Sequence, residues 1–184
     1  DVISFHPYSV TLTGYIKQIK HIQNEAKSHG FKGDFCISEM GYPTGGLYPT
    51  RVSENKLPEK IVKTLVYGLS KDIKVITWYH LFDPAERSKS DSEDFFGLVI
   101  GEEEYKLKNG IYAYRAIAQN VSNSRLVNSH VICNDDKICY FNFEKEDGNC
   151  LLVFWAKGAD RKVNISFPSA EIQQWSISSP EIRT

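Results

Sequence analysis

The amino-acid pattern predicts an α/β fold for residues 1–122, followed by a small all-β domain over residues 123–184. In the first part, three short apolar runs alternate with three segments whose apolar residues recur every three to four positions. Such alternation is typical of a parallel sheet covered by helices. The second part shows only strand patterns between turn residues, which predicts a small antiparallel sheet or sandwich.

The first strand–helix unit starts at the apolar run Val2–Phe5. A helix is predicted from Thr11 to Ser28 because its apolar residues recur at helical spacing, and Gly30 is a typical helix stop. The stripe expected to face the core is Ile16, Ile19, Ile22 and Ala26.

The second and third units follow the same plan, with strands predicted at Asp34–Ser38 and Lys74–Trp78. The second helix is expected to begin near Pro58, since proline is favoured in a first turn, and the third near Asn109, a residue suited to capping. The expected buried stripes are Ile61, Val62, Leu65 and Leu69 in the second helix, and Ile111, Tyr114, Ala118 and Val121 in the third. All three strands are continuously apolar, a pattern typical of strands buried on both faces.

The region after Ser122 has short strand patterns separated by turn clusters. The predicted strands are Leu126–Cys133, Ile138–Phe143, Cys150–Trp155, Lys162–Phe167 and Glu171–Ile177. Cys133 and Cys139 flank a turn sequence, so a disulfide across this hairpin is geometrically possible, with free thiols as the alternative.

Two long segments, Gly41–Leu57 and Phe82–Lys108, lead from strands to helices, whereas the helix-to-strand connections are short. Long loops of this kind are usually functional or mobile. In parallel α/β folds they gather at the carboxyl ends of the strands, where barrels and doubly wound sheets both place their sites. The loop lengths therefore mark one face of the fold as the functional face.

Composition argues against several classes of protein. The chain has 22 basic and 23 acidic residues, so it lacks the basic face expected of a nucleic-acid-binding protein. No apolar run reaches the ~18 residues of a transmembrane helix. Neither a metal nor a phosphate-bearing cofactor is expected, because histidines and cysteines lack ligand spacing and no glycine-rich loop joins a strand to a helix. The start at Asp1 without a methionine suggests a fragment or a processed chain.

Each predicted parallel strand ends in polar or aromatic residues. The first ends in His6 and Tyr8, the second in Glu39, and the third in a run that begins with Trp78. Each ending has an ordinary structural explanation: a carboxylate at the sheet rim paired with a local cation, a core tryptophan, or polar groups at the core edge. Three such endings on one face favour a binding or catalytic site.

These endings resemble motifs of a known enzyme family. The run FCISEMGYPTGG resembles the nucleophile strand of the clan of retaining (β/α)8 glycoside hydrolases that includes β-xylosidases, β-glucosidases and endoglucanases. DVISFHPY resembles the sixth strand of that barrel, and VITWYHLFDP resembles the eighth. FFGLVIGEEEYKLKNGIYAYRAIA is similar to the clan's last helix, where Lys108 and Tyr112 match, and LLVFWAKGADRKVNISFP to the small β-domain that follows.

The resemblance implies a role for each residue that matches. Glu39 would be the nucleophile that forms a glycosyl-enzyme intermediate. Tyr8 would hydrogen-bond or orient that carboxylate, and His6 would line the sugar subsite. The substrate implied is an oligosaccharide, a polysaccharide or another glycoside.

Further matches would bind sugar. Trp78 would stack on the pyranose ring, and Tyr42 and Tyr48 would shape the outer subsites. His80 would lie nearby, and Asp83 would either cap its loop or bind an adjacent sugar.

Half of the expected machinery has no counterpart in the sequence. In the clan, the acid/base is a Glu after an Asn at the end of the fourth strand, but the Asn24–Glu25 pair lies inside the first predicted helix. Glu86, Glu93 and Glu102–Glu104 lie in the last long loop, where one of them could reach the site. Only units six to eight of a barrel are represented. The chain is therefore expected to be an inactive part of such a hydrolase, with the missing half or a second copy as its partner.

Two other interpretations fit the sequence. One is a non-catalytic carbohydrate-binding or structural fragment that uses Trp78, Trp155 and Trp175 as stacking platforms, although Trp155 alternates with Val153 as a core residue would. The other is an independent α/β domain that dimerises to complete its sheet.

Overall fold

Three parallel strands form the central sheet of the first part. The computed structural model of the chain describes residues 1–101, 104–130, 138–156, 174–175 and 182–183. The central strands are β1 (Val2–Phe5), β2 (Asp34–Met40) and β3 (Ile73–Trp78). They are hydrogen-bonded in the order β1-β2-β3, and both pairings are parallel. The predicted α/β class is confirmed.

Three helices follow these strands close to their predicted positions. They are α1 (Leu12–Ser28), α2 (Leu57–Ser70) and α3 (Asn109–Val121). The Thr11 side chain caps α1 by accepting a hydrogen bond of 3.0 Å from the Gly14 amide. Gly30, at φ 80°, follows the end of α1, and Pro58 lies in the first turn of α2 as expected.

The predicted stripe of α3 is confirmed in part, since Val121 is buried and Ile111 and Tyr114 pack against the core. Gly110, Ala113, Ile117 and Val121 are buried, whereas Ala118 is exposed. Gly110 explains the difference, because a Cβ there would approach Leu57 Cδ2 to 2.6 Å, so only glycine permits this close packing of α3 on α2. The predicted cap is also wrong: the N-cap residue is Lys108, whose side chain makes no capping bond.

The central sheet buries only one of its faces. In one row across the strands, Ile3, Phe35 and Ile73 belong to the core or pack against it. In the other row, Ser4 and Cys36 are aligned with Val75, which is 53% exposed. The expectation that both faces are buried is therefore wrong within the described part of the chain. The apolar pattern was real, but no described layer packs on the second face.

The two long connections contain short regular elements. A 3-10 turn at Glu54–Lys56 precedes α2, and another covers Glu93–Phe95. The last connection also forms a three-stranded sheet in which β4 and β5 are parallel and β5 and β6 antiparallel. Its strands are β4 (Phe82–Asp83), β5 (Val99–Ile100) and β6 (Lys106–Leu107).

The region after α3 contains an antiparallel sheet, as predicted. Its strands are β7 (Ser124–His130), β8 (Ile138–Lys145) and β9 (Cys150–Ala156), in the order β7-β8-β9. A separate antiparallel pair joins β10 (Gln174–Trp175) and β11 (Ile182–Arg183). Cys139 is disulfide-bonded and Cys36 and Cys150 are free thiols; Cys133 and the predicted strand Lys162–Phe167 lie outside the described residues.

An aromatic cluster fastens this sheet to α2. The ring of Tyr67 lies 5.1 Å from Phe141 and 5.9 Å from Trp155, and the last two rings stack at 5.3 Å. Phe141 and Phe143 are almost fully buried in the same core as the helices. The change of pattern expected near Ser122 is present, since α3 ends at Val121 and β7 begins at Ser124, but the two parts share one hydrophobic core.

We expect Phe141→Ala to lower the free energy of unfolding by about 3–5 kcal/mol, because it opens a cavity where the sheet meets α2. Phe154→Ala is the matched control, since Phe154 lies on the paired strand and is 49% exposed. It should cost less than about 1 kcal/mol. Urea unfolding followed by tryptophan fluorescence measures both, and equal losses would contradict this packing.

Candidate active site

The parallel sheet brings the carboxyl ends of its strands to one edge. Phe5 pairs with Ile37 and Met40 with Trp78, so the residues near these positions are neighbours. Glu39 is the penultimate residue of β2 rather than the first residue after it. The register with β3 is irregular between Ile37 and Met40, and such irregularities re-aim side chains.

Glu39 is held by residues that follow β1. The Tyr8 hydroxyl donates a hydrogen bond of 2.7 Å to Glu39 Oε1. His6 Nδ1 lies 3.7 Å from the other carboxylate oxygen, Oε2, and His6 Nε2 lies 3.0 Å from Ser38 Oγ. The Glu39 side chain remains 33% exposed. The sequence-predicted residues Glu39, Tyr8 and His6 therefore form one cluster that solvent can reach.

The phenol of Tyr8 is a fixed donor. Burial raises the pKa of Tyr8 well above its usual range, and the hydrogen bond to Glu39 raises it further. Tyr8 thus keeps its proton at neutral pH. Its backbone is also anchored, because the Gln18 amide on α1 donates a 2.8 Å hydrogen bond to the Tyr8 carbonyl.

A second tyrosine and a second carboxylate lie at the same edge. Tyr79 follows β3, and its amide donates to the Met40 carbonyl at 2.9 Å. Its hydroxyl donates to Glu93 Oε2 at 2.8 Å, and this bond, with lesser contributions from burial and the charge of Glu39, raises the pKa of Tyr79 to about 12. His80 is also placed here, with Nε2 3.1 Å from the Glu93 carbonyl.

Phe96 packs the tyrosines together. Its ring centroid lies 6.1 Å from Tyr8, 5.4 Å from Tyr79 and 6.0 Å from Tyr48. Gly41 makes this approach possible, since a Cβ there would meet the Tyr79 carbonyl oxygen at 2.0 Å and Phe96 Cδ1 at 2.9 Å. The glycine after Glu39 and Met40 is therefore required by the close passage of neighbouring backbone.

Two aromatic residues expected to bind sugar are core residues instead. Trp78 is only 7% exposed and packs 6.1 Å from Tyr42. Tyr42 is 1% exposed, its hydroxyl lies 3.1 Å from Thr64 Oγ1 on α2, and burial raises its pKa. Both side chains are therefore packed in the core of the described structure and not presented to a ligand. Tyr79, the next residue after Trp78, presents the partly exposed aromatic ring.

Asp83 is buried and is not placed to bind an adjacent sugar. Its carboxylate is fully buried, pairs with Lys108 and accepts a 2.5 Å hydrogen bond from the Gly97 amide. Lys108 also donates to Thr44 Oγ1 at 3.0 Å and to the Phe95 carbonyl at 2.9 Å. Burial lowers the pKa of Lys108, whereas the hydrogen bond that its ammonium donates to Asp83 opposes that shift. Asp83 therefore caps its own loop, which is the other role that the resemblance implies. Through Lys108 it also connects the two long segments.

Sequence reasoning missed part of this cluster. Glu93 appeared only among several loop carboxylates, and Tyr79 was overlooked between Trp78 and His80. Successive residues of a strand face opposite sides of the sheet, so Trp78 and Tyr79 cannot both face the site. This alternation is the sequence signal that points to Tyr79 as the alternative to Trp78. Phe96 gave no signal, because its position depends on how the loop folds.

Within the described residues, no group of three or more His, Cys, Asp or Glu side chains could hold a metal ion. The described helices include none with the length and hydrophobicity needed to cross a membrane.

Comparison of the chain with protein-family models gives no match, and comparison with curated proteins gives none either. The resemblance to glycoside hydrolases therefore rests on the sequence motifs at the strand ends.

We expect Asp83→Asn to lower the free energy of unfolding by ~3–5 kcal/mol, because it leaves the Lys108 ammonium buried without a counter-charge. Asp72→Asn is the matched control, since Asp72 is 82% exposed and pairs with Lys74 on the surface. It should cost at most about 1 kcal/mol. Urea denaturation measures the free energy of unfolding of both variants. Similarly small losses in the two variants would refute the anchoring role of Asp83.

We also expect Glu39→Gln to lower the pKa of Tyr8 while leaving it above that of an exposed tyrosine. The carboxylate favours the neutral phenol, so removing its charge favours ionisation, but burial persists. NMR of 13Cζ-labelled tyrosine during an alkaline titration measures this, with Tyr8→Phe assigning the resonance. An unchanged titration of Tyr8 would contradict the observed contact.

Proposed function

We propose that this chain is the C-terminal part of a retaining glycoside hydrolase and that Glu39 is its nucleophile. The observation that carries the proposal is a partly exposed carboxylate at the carboxyl end of a parallel strand, fixed by a phenol that stays protonated. That is the placement a nucleophile needs in order to meet a substrate above the sheet edge.

The two oxygens of Glu39 have different surroundings. Oε1 accepts the Tyr8 hydrogen bond, whereas Oε2 faces His6 Nδ1 at 3.7 Å. In the proposed reaction Oε2 attacks the anomeric carbon and forms an ester, and the leaving group departs with the electrons of the broken glycosidic bond. Tyr8 holds the carboxylate plane while this occurs. Water then hydrolyses the ester with retention of configuration.

The second carboxylate of such a mechanism is expected from outside this chain. Retaining enzymes place the acid/base about 5–5.5 Å from the nucleophile. Glu25, the residue that follows Asn24, lies on α1, where it contacts His29 at 3.2 Å. Without a general acid, hydrolysis of ordinary glycosides by the chain alone should be slower by ~10²–10⁴-fold.

The exposed face of the central sheet supports the proposal that this chain is part of a larger fold. Val2 and Val75 are 62% and 53% exposed, although both lie in apolar strands. Within the described residues, β1 pairs only with β2, so its other edge offers unpaired backbone groups. We propose that the remaining units of a (β/α)8 barrel, on another segment or on a second copy, cover this face and supply the acid/base.

The structural surroundings weigh against a non-catalytic sugar-binding fragment built on tryptophans. Trp78 is almost fully buried, and Trp155 is packed between Phe141 and Tyr67. The side chain of Trp175 lies outside what the structure describes.

Covalent labelling with 2-deoxy-2-fluoroglycosyl fluorides tests the nucleophile. Fluoride leaves without help from a general acid, so this half of the reaction does not require the missing carboxylate. We expect at least one compound from a gluco, xylo, galacto and manno panel to add one glycosyl group, detected by intact mass and mapped to Glu39.

Glu39→Gln should abolish the label. Glu25→Gln is the matched control, because Glu25 also lies beside a histidine but on α1, and it should be labelled like the wild type. Absence of a label with the whole panel, or persistence of the label in Glu39→Gln, would refute the proposal.

A further inference from the structure

Glu93 is delivered to the site by the connection between β3 and α3, not by the sheet. It lies in the 3-10 turn Glu93–Phe95, which is close to the buried anchor because Lys108 donates to the Phe95 carbonyl at 2.9 Å. The Thr44 amide donates to the same carbonyl at 3.0 Å. This turn is therefore fixed against both long connections, and Glu93 is held at its start although its side chain is exposed.

Glu93 and Glu39 belong to one electrostatic environment. Each is the hydrogen-bond acceptor of one tyrosine, Tyr79 for Glu93 and Tyr8 for Glu39. The charges of both carboxylates contribute to raising the pKa of each tyrosine, after the larger effects of burial and direct hydrogen bonding. Both phenol rings pack edge-on against the buried ring of Phe96, which keeps the two tyrosine–carboxylate pairs close together.

No described basic side chain neutralises Glu93. In the described part of the chain, none of the ion pairs involves it. Arg87 lies over the Phe95 ring at 5.1 Å and faces Asp83 at 3.8 Å, and Lys108 is buried with Asp83. The basic side chains recorded at the cluster are His6, 3.7 Å from Glu39 Oε2, and His80, 3.1 Å from the Glu93 carbonyl.

We infer that Glu93 is a specificity-determining residue of this site and that it makes the site select glycosides with neutral or ammonium substituents over uronic acids. The inference rests on the proposed function, because it assigns a substrate class to the site of Glu39. Tyr79 acts as the positioning residue: it occupies Glu93 Oε2 and leaves Oε1 to accept a hydrogen bond from a sugar hydroxyl or ammonium group.

The chemical reason is that an ionised carboxylate can accept from hydroxyl and ammonium donors but offers no donor to another carboxylate. A uronic acid bound beside the two tyrosines would bring a third negative charge close to Glu39 and Glu93, and like charges at close range penalise binding. We expect the preference for the neutral over the acidic sugar to exceed about tenfold, as is usual when a site leaves a polar group unmatched.

The test compares three probes: methyl β-glucoside, methyl β-glucosaminide and methyl β-glucuronide. Their dissociation constants are measured by NMR from the tyrosine resonances of the wild type, Glu93→Gln and Asp94→Asn. Asp94→Asn is the matched control because it removes the same charge one residue further along the chain. Asp94 accepts a 2.7 Å hydrogen bond from the Ser88 amide, whereas the Tyr79 hydroxyl donates to Glu93. Glu93→Gln should reduce the preference against the glucuronide about tenfold, and Asp94→Asn should leave it near the wild-type value.

A structural readout accompanies the binding data. In Glu93→Gln the pKa of Tyr79 should fall from about 12 toward the ordinary tyrosine value of ~10, because the contact with the carboxylate is lost. Amide NMR dispersion like that of the wild type shows that the variant is folded. Tyr79→Phe is the second variant. It retains the charge of Glu93 but removes its anchor, so it should lose part of the selectivity.

The outcomes separate this inference from the proposed function. An unchanged preference in Glu93→Gln, or no response of Tyr79 to any of the three glycosides, overturns the inference. Loss of selectivity in Glu93→Gln without covalent labelling of Glu39 supports Glu93 while refuting the nucleophile. Labelling of Glu39 with unchanged selectivity supports the nucleophile and refutes the role of Glu93.

Discussion

The parallel pairing of β1, β2 and β3 is the constraint on which the candidate site depends. Parallel strands end at one edge, so residues far apart in sequence meet there without any direct sequence signal. Tyr8 and Glu39 come from different strands and still form a hydrogen bond of 2.7 Å. The pairing of β2 with β3 is irregular between Ile37 and Met40, and this irregularity re-aims the Glu39 side chain away from the buried side chains of β2. An antiparallel arrangement would send these residues to opposite ends of the sheet.

A buried ion pair holds the two long connections beside this edge of the sheet. Asp83 and Lys108 lie at the two ends of the last long connection, and Lys108 reaches Thr44 in the other. Because a buried charge is stable only with its partner, the pair fixes where both connections lie. Phe96 and Glu93 are placed by the chain between these anchors. An ion pair in the interior thus helps to place the buried Phe96 ring and the exposed Glu93 carboxylate.

Much of this could be predicted from the sequence, and the failures have physical reasons. Helical periodicity located α1 and α2 because their apolar stripes are broad. In α3 it wrongly included Ala118 and missed Gly110, which lies at the contact with α2 but adds no apolar side chain to the pattern. The strand-end motif located Glu39 and Tyr8 but assigned Trp78 to the sugar, although it is 7% exposed. Glu93 was unpredictable in position, because a long connection has no periodicity from which its path can be inferred.

The most direct measurement of the central claim is a crystal structure of the chain soaked with a glycoside that it binds. We expect a sugar ring against Tyr79, with its anomeric carbon about 3–3.5 Å from Glu39 Oε2 and with Tyr8 still bonded to Oε1. A sugar ordered at another surface, or a Glu39 carboxylate turned away from the bound ring, would contradict it.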